Sequence, residues 1–185
     1  MKAADADIII VPGYLGSGPD HWQSRWQRHL STARWVKNVD WEKPDRKTWV
    51  SALLDAVNAA TRPVVLVGHS MGVATIVHAA PHLGESNVRA AFLVAYADVE
   101  ANDWIPGAAA EFAPMPRDPL PFPSLLVASR TDPYCAFDVA DDLGAAWGSL
   151  LIDAGEAGHI TEDSGHGPWP EGSMTFGKFL SRLKA

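Results

Sequence analysis

The pentapeptide Gly68-His69-Ser70-Met71-Gly72 sets a serine between two glycines. The apolar, β-branched run "PVVLV" ends just before it, and the small apolar stretch "MGVATIVHAA" begins within it. A G-x-S-x-G placed between a strand and a helix has mechanical meaning. The turn is tight enough to strain the serine backbone, and a Cβ at Gly68 or Gly72 would crowd the neighbouring strand or helix. The hydroxyl stands clear of the sheet, with the helix N-terminus beneath it to stabilise an oxyanion. A serine hydroxyl is a weak nucleophile at neutral pH, so it needs a histidine base, and that base needs a carboxylate to hold its tautomer and stabilise its cation. His69 precedes the serine on the turn and is read as a structural or pocket-lining residue, not the base.

Serine elbows of this kind are followed along the chain by the acid and then the base. Asp132, in "SRTDPYC", lies just past an apolar strand, and Pro133 turns the chain toward the next helix. It is the favoured acid, although an aspartate there also suits a helix N-cap. Asp98, in "AYAD", is the rival. Asp153 and Glu156 stand too close along the chain to the base they would orient. The base must come from "DAGEAGHITEDSGHGPWPEG", which holds His159 and His166, each directly after a glycine. Long loops in compact domains are often functional, and both histidines are within reach of Ser70 on chain length alone. His159 is nearer the end of the preceding strand, which is the rigid platform. A histidine base with an ordinary pKa of about 6.5 predicts a rate that falls as the pH drops through that region.

These residues need a frame to hold them. Short runs, apolar on both faces, recur: Asp7 to Val11, Arg34 to Val39 (weaker, nearer an edge), Pro63 to Gly68, Ala90 to Ala95, Pro123 to Ser129 and Ser149 to Asp153. Such runs suit parallel strands covered by helices on both sides. Helical patterns separate them. Trp22, Trp26 and Leu30 repeat at helical spacing, as do Trp49, Leu53, Val57 and Ala60 after Asp45, a predicted N-cap. "FDVADDLGAAW" is amphipathic, and after "WPEG" the residues Phe176, Phe179, Leu180 and Leu183 share one face. The alternation predicts a single α/β domain over residues 1–185 with right-handed crossovers. The Pro-rich stretch from Asp98 to Phe122 reads as an irregular excursion at the C-terminal edge of the sheet, not a second domain.

The totals exclude several classes of function. The chain has 185 residues, 47% hydrophobic and 20% charged, which suits one globular core. A net charge of -7 argues against a nucleic-acid partner, which would want a basic face. Cys135 is the single cysteine, so no internal disulfide and no cysteine-based metal site is expected. No stretch approaches the roughly 18 apolar residues of a membrane helix, and the N-terminal apolar run is too short for a signal peptide. A soluble, cytoplasmic protein that needs no metal or cofactor is therefore expected. "GSG" at 16–18 is no phosphate loop, since no Lys-Ser/Thr follows it.

At these motifs the chain resembles the small serine hydrolases of the α/β-hydrolase superfamily related to retinoblastoma-binding protein 9 and the bacterial YdeN-like proteins. The resemblance rests on "VPGYLGSGPDHWQSRW", "LVGHSMG", "SRTDPY" and "AGHITEDSGHGPWPEG", and covers nearly the whole chain. It implies a six-stranded, mostly parallel sheet in the order 2-1-3-4-5-6, helices on both faces and no large lid. It implies His159 as base, within a Gly-His-hydrophobic pattern, and leaves the position of His166 variable. Mammalian relatives bind the retinoblastoma protein through an L-x-C-x-E motif, which "DPYCAFD" around Cys135 does not fit, so that role is not carried over.

The oxyanion hole needs two backbone N–H groups, one from Met71 and one from Tyr14 or Leu15 in the turn after the first strand. Of the eight tryptophans, Trp22, Trp104 and Trp169 fall near the predicted active edge and are candidates for a pocket wall or for packing. Leu15, His69 and His166 are further pocket candidates. The expected function is hydrolysis of small acyl esters, with amides and acyl transfer open to the same residues. The reading from another class is an interaction protein that keeps the fold with little turnover.

Overall fold

The computed structural model describes residues 1–101 and 104–183. The elements, in chain order, are β1 (Asp7–Val11), α1 (Trp22–His29), β2 (Ala33–Trp35), α2 (Arg46–Asn58), β3 (Val64–His69), α3 (Met71–Ala79), β4 (Val88–Val94), α4 (Ala108–Phe112), β5 (Ser124–Ala128), α5 (Phe137–Trp147), β6 (Leu150–Asp153) and α6 (Pro170–Arg182). The six strands form one sheet in the order β2-β1-β3-β4-β5-β6, with every pairing parallel. This is the α/β-hydrolase arrangement the motifs imply, without a large lid.

Side-chain alternation along the strands sorts the core into two layers. Ile9, Leu66 and Leu93 face one side and pack with Trp49, Leu53 and Val57 of α2, Ile76 of α3 and Leu143 and Trp147 of α5. Ile8, Ile10, Val65, Val67 and Phe92 face the other and pack with Trp22 and Trp26 of α1 and with Phe176, Phe179 and Leu180 of α6. Strands buried on both faces explain why the sequence shows continuous apolar runs and no alternation.

Local chemistry sets the helix starts. Asp45 caps α2 by accepting from the Thr48 N–H at 2.8 Å, as its position predicts. α6 starts earlier than expected, at Pro170 inside "WPEG", because proline at a first helical position gives up an N–H that has no intrahelical partner anyway. β2 is shorter than the predicted Arg34–Val39. It pairs only with Ile8 to Ile10 of β1, and Asn38 then turns away with φ 62°. The Pro-rich excursion is less irregular than predicted. It contains α4, whose Phe112 is fully buried against Trp49 and accepts a hydrogen bond from His78 Nε2 at 2.7 Å. Asn102 and Asp103 of that stretch lie outside the described residues. Among the described residues no helix is long and apolar enough to cross a membrane.

Candidate active site

A parallel sheet delivers the loops after its strands to one edge, and this chain stores its backbone strain there. The described non-glycine residues with positive φ are Leu15, Asn38, Ser70, Ala95 and Ile160, and each follows the C-terminal end of a strand. Ser70, at φ 56° and ψ -125°, lies in a region that costs a non-glycine residue on the order of 1–3 kcal/mol. The surroundings hold it there. Its N–H donates to the Val94 carbonyl (3.1 Å) and its own carbonyl accepts from Val73 (3.0 Å). A Cβ on Gly72 would strike the backbone oxygen of Val11, and one on Gly68 would come within 2.7 Å of Ile76. A Cβ on Gly13 would lie 2.6 Å from Ser70 Cβ, so the turn after β1 rests directly against the serine.

Two loops bring an acid and an imidazole to the same place. His159 Nδ1–H donates to Asp132, with both carboxylate oxygens at 2.9 Å. The Asp132 side chain is 2% exposed and that of His159 11%. A carboxylate this buried binds one ring nitrogen and so leaves Nε2 of His159 as the basic face. Asp132 also accepts from the Tyr134 N–H (2.9 Å), which fixes its orientation. Asp98, the rival, is buried but spends its carboxylate on the Glu100 N–H. Asp153 pairs with Arg130 at 2.7 Å, which holds its carboxyl below the usual range. His166 does not meet Asp132: its Nδ1 lies 3.1 Å from Ser164 Oγ and its ring sits edge-on to Trp169.

The loop that carries His159 is pinned from below. Two consecutive carbonyls accept from ring nitrogens: that of His159 from His69 Nε2–H (2.9 Å) and that of Ile160 from Trp22 Nε1–H (3.0 Å). Ser129 and Thr131 stitch the acid loop to it by accepting from the N–H groups of Ala157 and Gly158. His21 and His69 complete a file of three imidazoles, with ring centres 4.7 Å apart for His21–His69 and 4.8 Å for His69–His159. Burial, with the neighbouring His159 second, holds His69 well below 6.5 and His21 down to about 4. Both are therefore neutral beside His159.

Ser70 and His159 line one cleft of about 410 Å³, together with Tyr14, Leu15, His69 and Trp104. The Ser70 side chain makes no helix-capping bond, so its hydroxyl is not drawn back to the helix. The N–H of Met71 opens α3, where no intrahelical acceptor exists. Of the two candidates in the β1 turn, Leu15 N–H is committed to the Trp41 carbonyl at 2.9 Å, whereas no backbone acceptor among the described residues meets Tyr14 N–H.

Three pocket expectations need correction. Trp22 is fully buried, because its indole faces the core and its N–H serves Ile160. Trp169 packs against Trp22 and Trp26 on the α1–α6 side, and His166 follows it there. None of the three lines the cleft.

The sequence reading also missed residues. Tyr134 sits 4.5 Å from the His159 ring, edge to face, and Thr161, Glu162 and Asp163 form part of the cleft wall. Buried Gln23 ties the β1 turn to the sheet by donating to the carbonyls of Val11 and Val67 and accepting from Ser17. The only sequence signal for these was their place within or beside the motifs. Among the described residues no three or more His, Cys, Asp or Glu side chains are grouped to hold a metal ion.

Residues 8–178 match the family model described as serine hydrolase. The chain belongs to the serine hydrolase family. Its fold matches a YdeN-like hydrolase from Pectobacterium atrosepticum at 32% identity and a TM-score of 0.84, over 95% of this chain and 90% of that one. The ydeN gene product of B. subtilis is similar at 19% identity and a TM-score of 0.71, over 96% and 100% of the two chains. The esterase domain of a Rhodothermus marinus protein shares the fold at 17% identity and a TM-score of 0.65, over 96% and 87%. No curated protein matches the chain by sequence. As a serine hydrolase the chain is an enzyme, and its serine at a strained strand–helix turn lines the same cleft as His159, whose ring is hydrogen-bonded to Asp132.

Proposed function

We propose that this serine hydrolase is a carboxylesterase acting on small acyl esters, with Ser70 as nucleophile, His159 as general base and Asp132 as the acid that orients it. The observation that carries the reading is the 2.9 Å hydrogen bond to a buried Asp132 from Nδ1 of His159, which lines the same cleft as Ser70. The Ser70 Oγ attacks the ester carbonyl as His159 Nε2 takes its proton. The oxyanion is held by the N–H groups of Met71 and Tyr14. His159 returns the proton to the leaving alcohol, the C–O bond breaks, and an acyl-serine remains. Water then attacks the acyl-serine with His159 again as base, releasing the acid and restoring Ser70.

A cleft of about 410 Å³ suits small acyl groups, and an esterase domain among the structural neighbours is consistent with ester chemistry. The expected setting is the cytoplasm, in line with a lone, buried cysteine whose thiol burial pushes up to about 12. The test is a fluorophosphonate probe together with a panel of short-chain esters. Labelling that is lost in Ser70→Ala, with ester turnover lost in parallel, is the expected result. An unlabelled Ser70 and no turnover would favour an interaction protein that keeps the fold.

A further inference from the structure

We propose that the cleft selects esters whose leaving alcohol carries a positive charge. The proposal rests on the esterase reading above. If His159 delivers a proton to the leaving oxygen, the alcohol departs along the His159 loop. The next residues of that loop, Thr161, Glu162 and Asp163, line the cleft. Glu162 and Asp163 are exposed, and neither carboxylate has an ion-pair partner among the described residues. The Glu162 Oε1 stands over the facing turn, 3.2 Å from where a Cβ on Gly18 would be.

No lysine or arginine is among the described residues of the cleft wall. The nearby guanidinium of Arg25 is already paired with Asp20 at 3.0 Å. Trp104, 71% exposed, meets Tyr134 at 84°, so two aromatic walls flank the same opening. Carboxylates beside aromatic faces are the surroundings in which an organic ammonium is held.

A second, independent observation concerns the wall of the same cleft. His21 lines it and is 3% exposed. Its Nδ1 accepts from the Gln23 N–H (3.1 Å), so the proton of the neutral ring is on Nε2, and that buried atom has no partner. A buried donor left without an acceptor is costly, and an ester oxygen would satisfy it. The cleft thus offers a donor in its wall and negative charge at its mouth. The matching ligand is an ester of an ammonium-bearing alcohol.

The test compares three acetate esters: that of choline, that of 3,3-dimethylbutanol, which has the same shape without the charge, and that of 2-hydroxyethanesulfonate. At low ionic strength kcat/KM should fall in that order, by about tenfold from first to last, and the spread should shrink as salt is raised. In a Glu162→Gln/Asp163→Asn variant the choline-to-dimethylbutyl ratio should drop to within about twofold of one. His21→Ser, which keeps an acceptor for the helix cap but removes the Nε2–H, should raise KM for all three esters.

A choline ester no better than its neutral isostere, or a preference untouched by the double substitution, would overturn the charge selection while leaving the esterase reading in place. An unchanged KM in His21→Ser would overturn the role of the donor. Absence of turnover for all three esters, with Ser70 unlabelled by a fluorophosphonate, would overturn the esterase reading and this proposal with it.

Discussion

His159 and His166 differ in their surroundings, and that difference sets the expected effects of substitution. His159 holds a buried carboxylate, whereas His166 holds a serine hydroxyl and leans on Trp169. His159→Ala should therefore lower kcat/KM about as much as Ser70→Ala, by roughly 10⁴ to 10⁶, and the double variant should lose little more, because a triad acts as a unit. His166→Ala should stay within about tenfold of the parent. Steady-state kinetics on one ester decides this, and a crippled His166→Ala beside a nearly normal His159→Ala would transfer the base. The same kinetics applied to the carboxylates should show a large loss in Asp132→Asn and little in Asp98→Asn. An amide holds the imidazole tautomer and its cation badly, whereas Asp98 accepts from the Glu100 N–H.

At the scale of elements, the site depends on how closely α3 approaches β1. Gly72 is in α3, and any Cβ there meets the backbone oxygens of Val11 and Pro12. Backbone cannot rotate away as a side chain can, so Gly72→Ala should destabilise by about 3 kcal/mol or more, in the range of severe overpacking. Gly177 is in α6, and a Cβ there would meet nothing within 4 Å. Gly177→Ala should therefore stabilise by about 0.5–1 kcal/mol through helix propensity. Urea unfolding of the two variants checks both signs, and equal effects would contradict the close approach seen at Gly72.

At the scale of the whole molecule, buried neutral histidines tie stability to pH. His21 is held down to about 4 and His69 well below 6.5, chiefly by burial, and both return to about 6.5 when the chain unfolds. Above about 6.5 these histidines are neutral in both states and take nothing from stability. As the pH falls from about 6.5 toward 4 the unfolded chain gains protons that the folded one refuses, so stability drains away across that window. The melting temperature should be flat near neutrality and fall steadily below pH 6.5, ahead of the carboxylates. His69→Gln, which keeps an N–H for the His159 carbonyl but does not titrate, should flatten the fall. A melting temperature that stays level between pH 6.5 and 4 would contradict the buried neutral state.

The sheet, its flanking helices and the serine elbow were legible in the sequence, because each depends on neighbours close along the chain. Apolar runs such as "DIIIV" and "PVVLV" suit strands buried on both faces, Asp45 caps the helix that begins next to it, and Gly68 and Gly72 flank the serine whose turn they permit. From residues alone both histidines reached Ser70, and nearness to the strand end and the resemblance together favoured His159. The structure brings His159, and not His166, to Asp132, 27 positions away, because Trp22 and His69 on other elements hold the loop's carbonyls. The β1 turn behaves likewise: Leu15 and Tyr14 are equivalent in sequence until the Trp41 carbonyl takes the N–H of Leu15. By position Trp22 and Trp169 suited a pocket wall or packing alike, and the structure puts them in the core, since a side chain's neighbours across the fold are set by how helices cross the sheet. Local periodicity and turn chemistry determine which elements form. Which of two like groups meets a distant partner is decided only when the packed sheet fixes the loops in space.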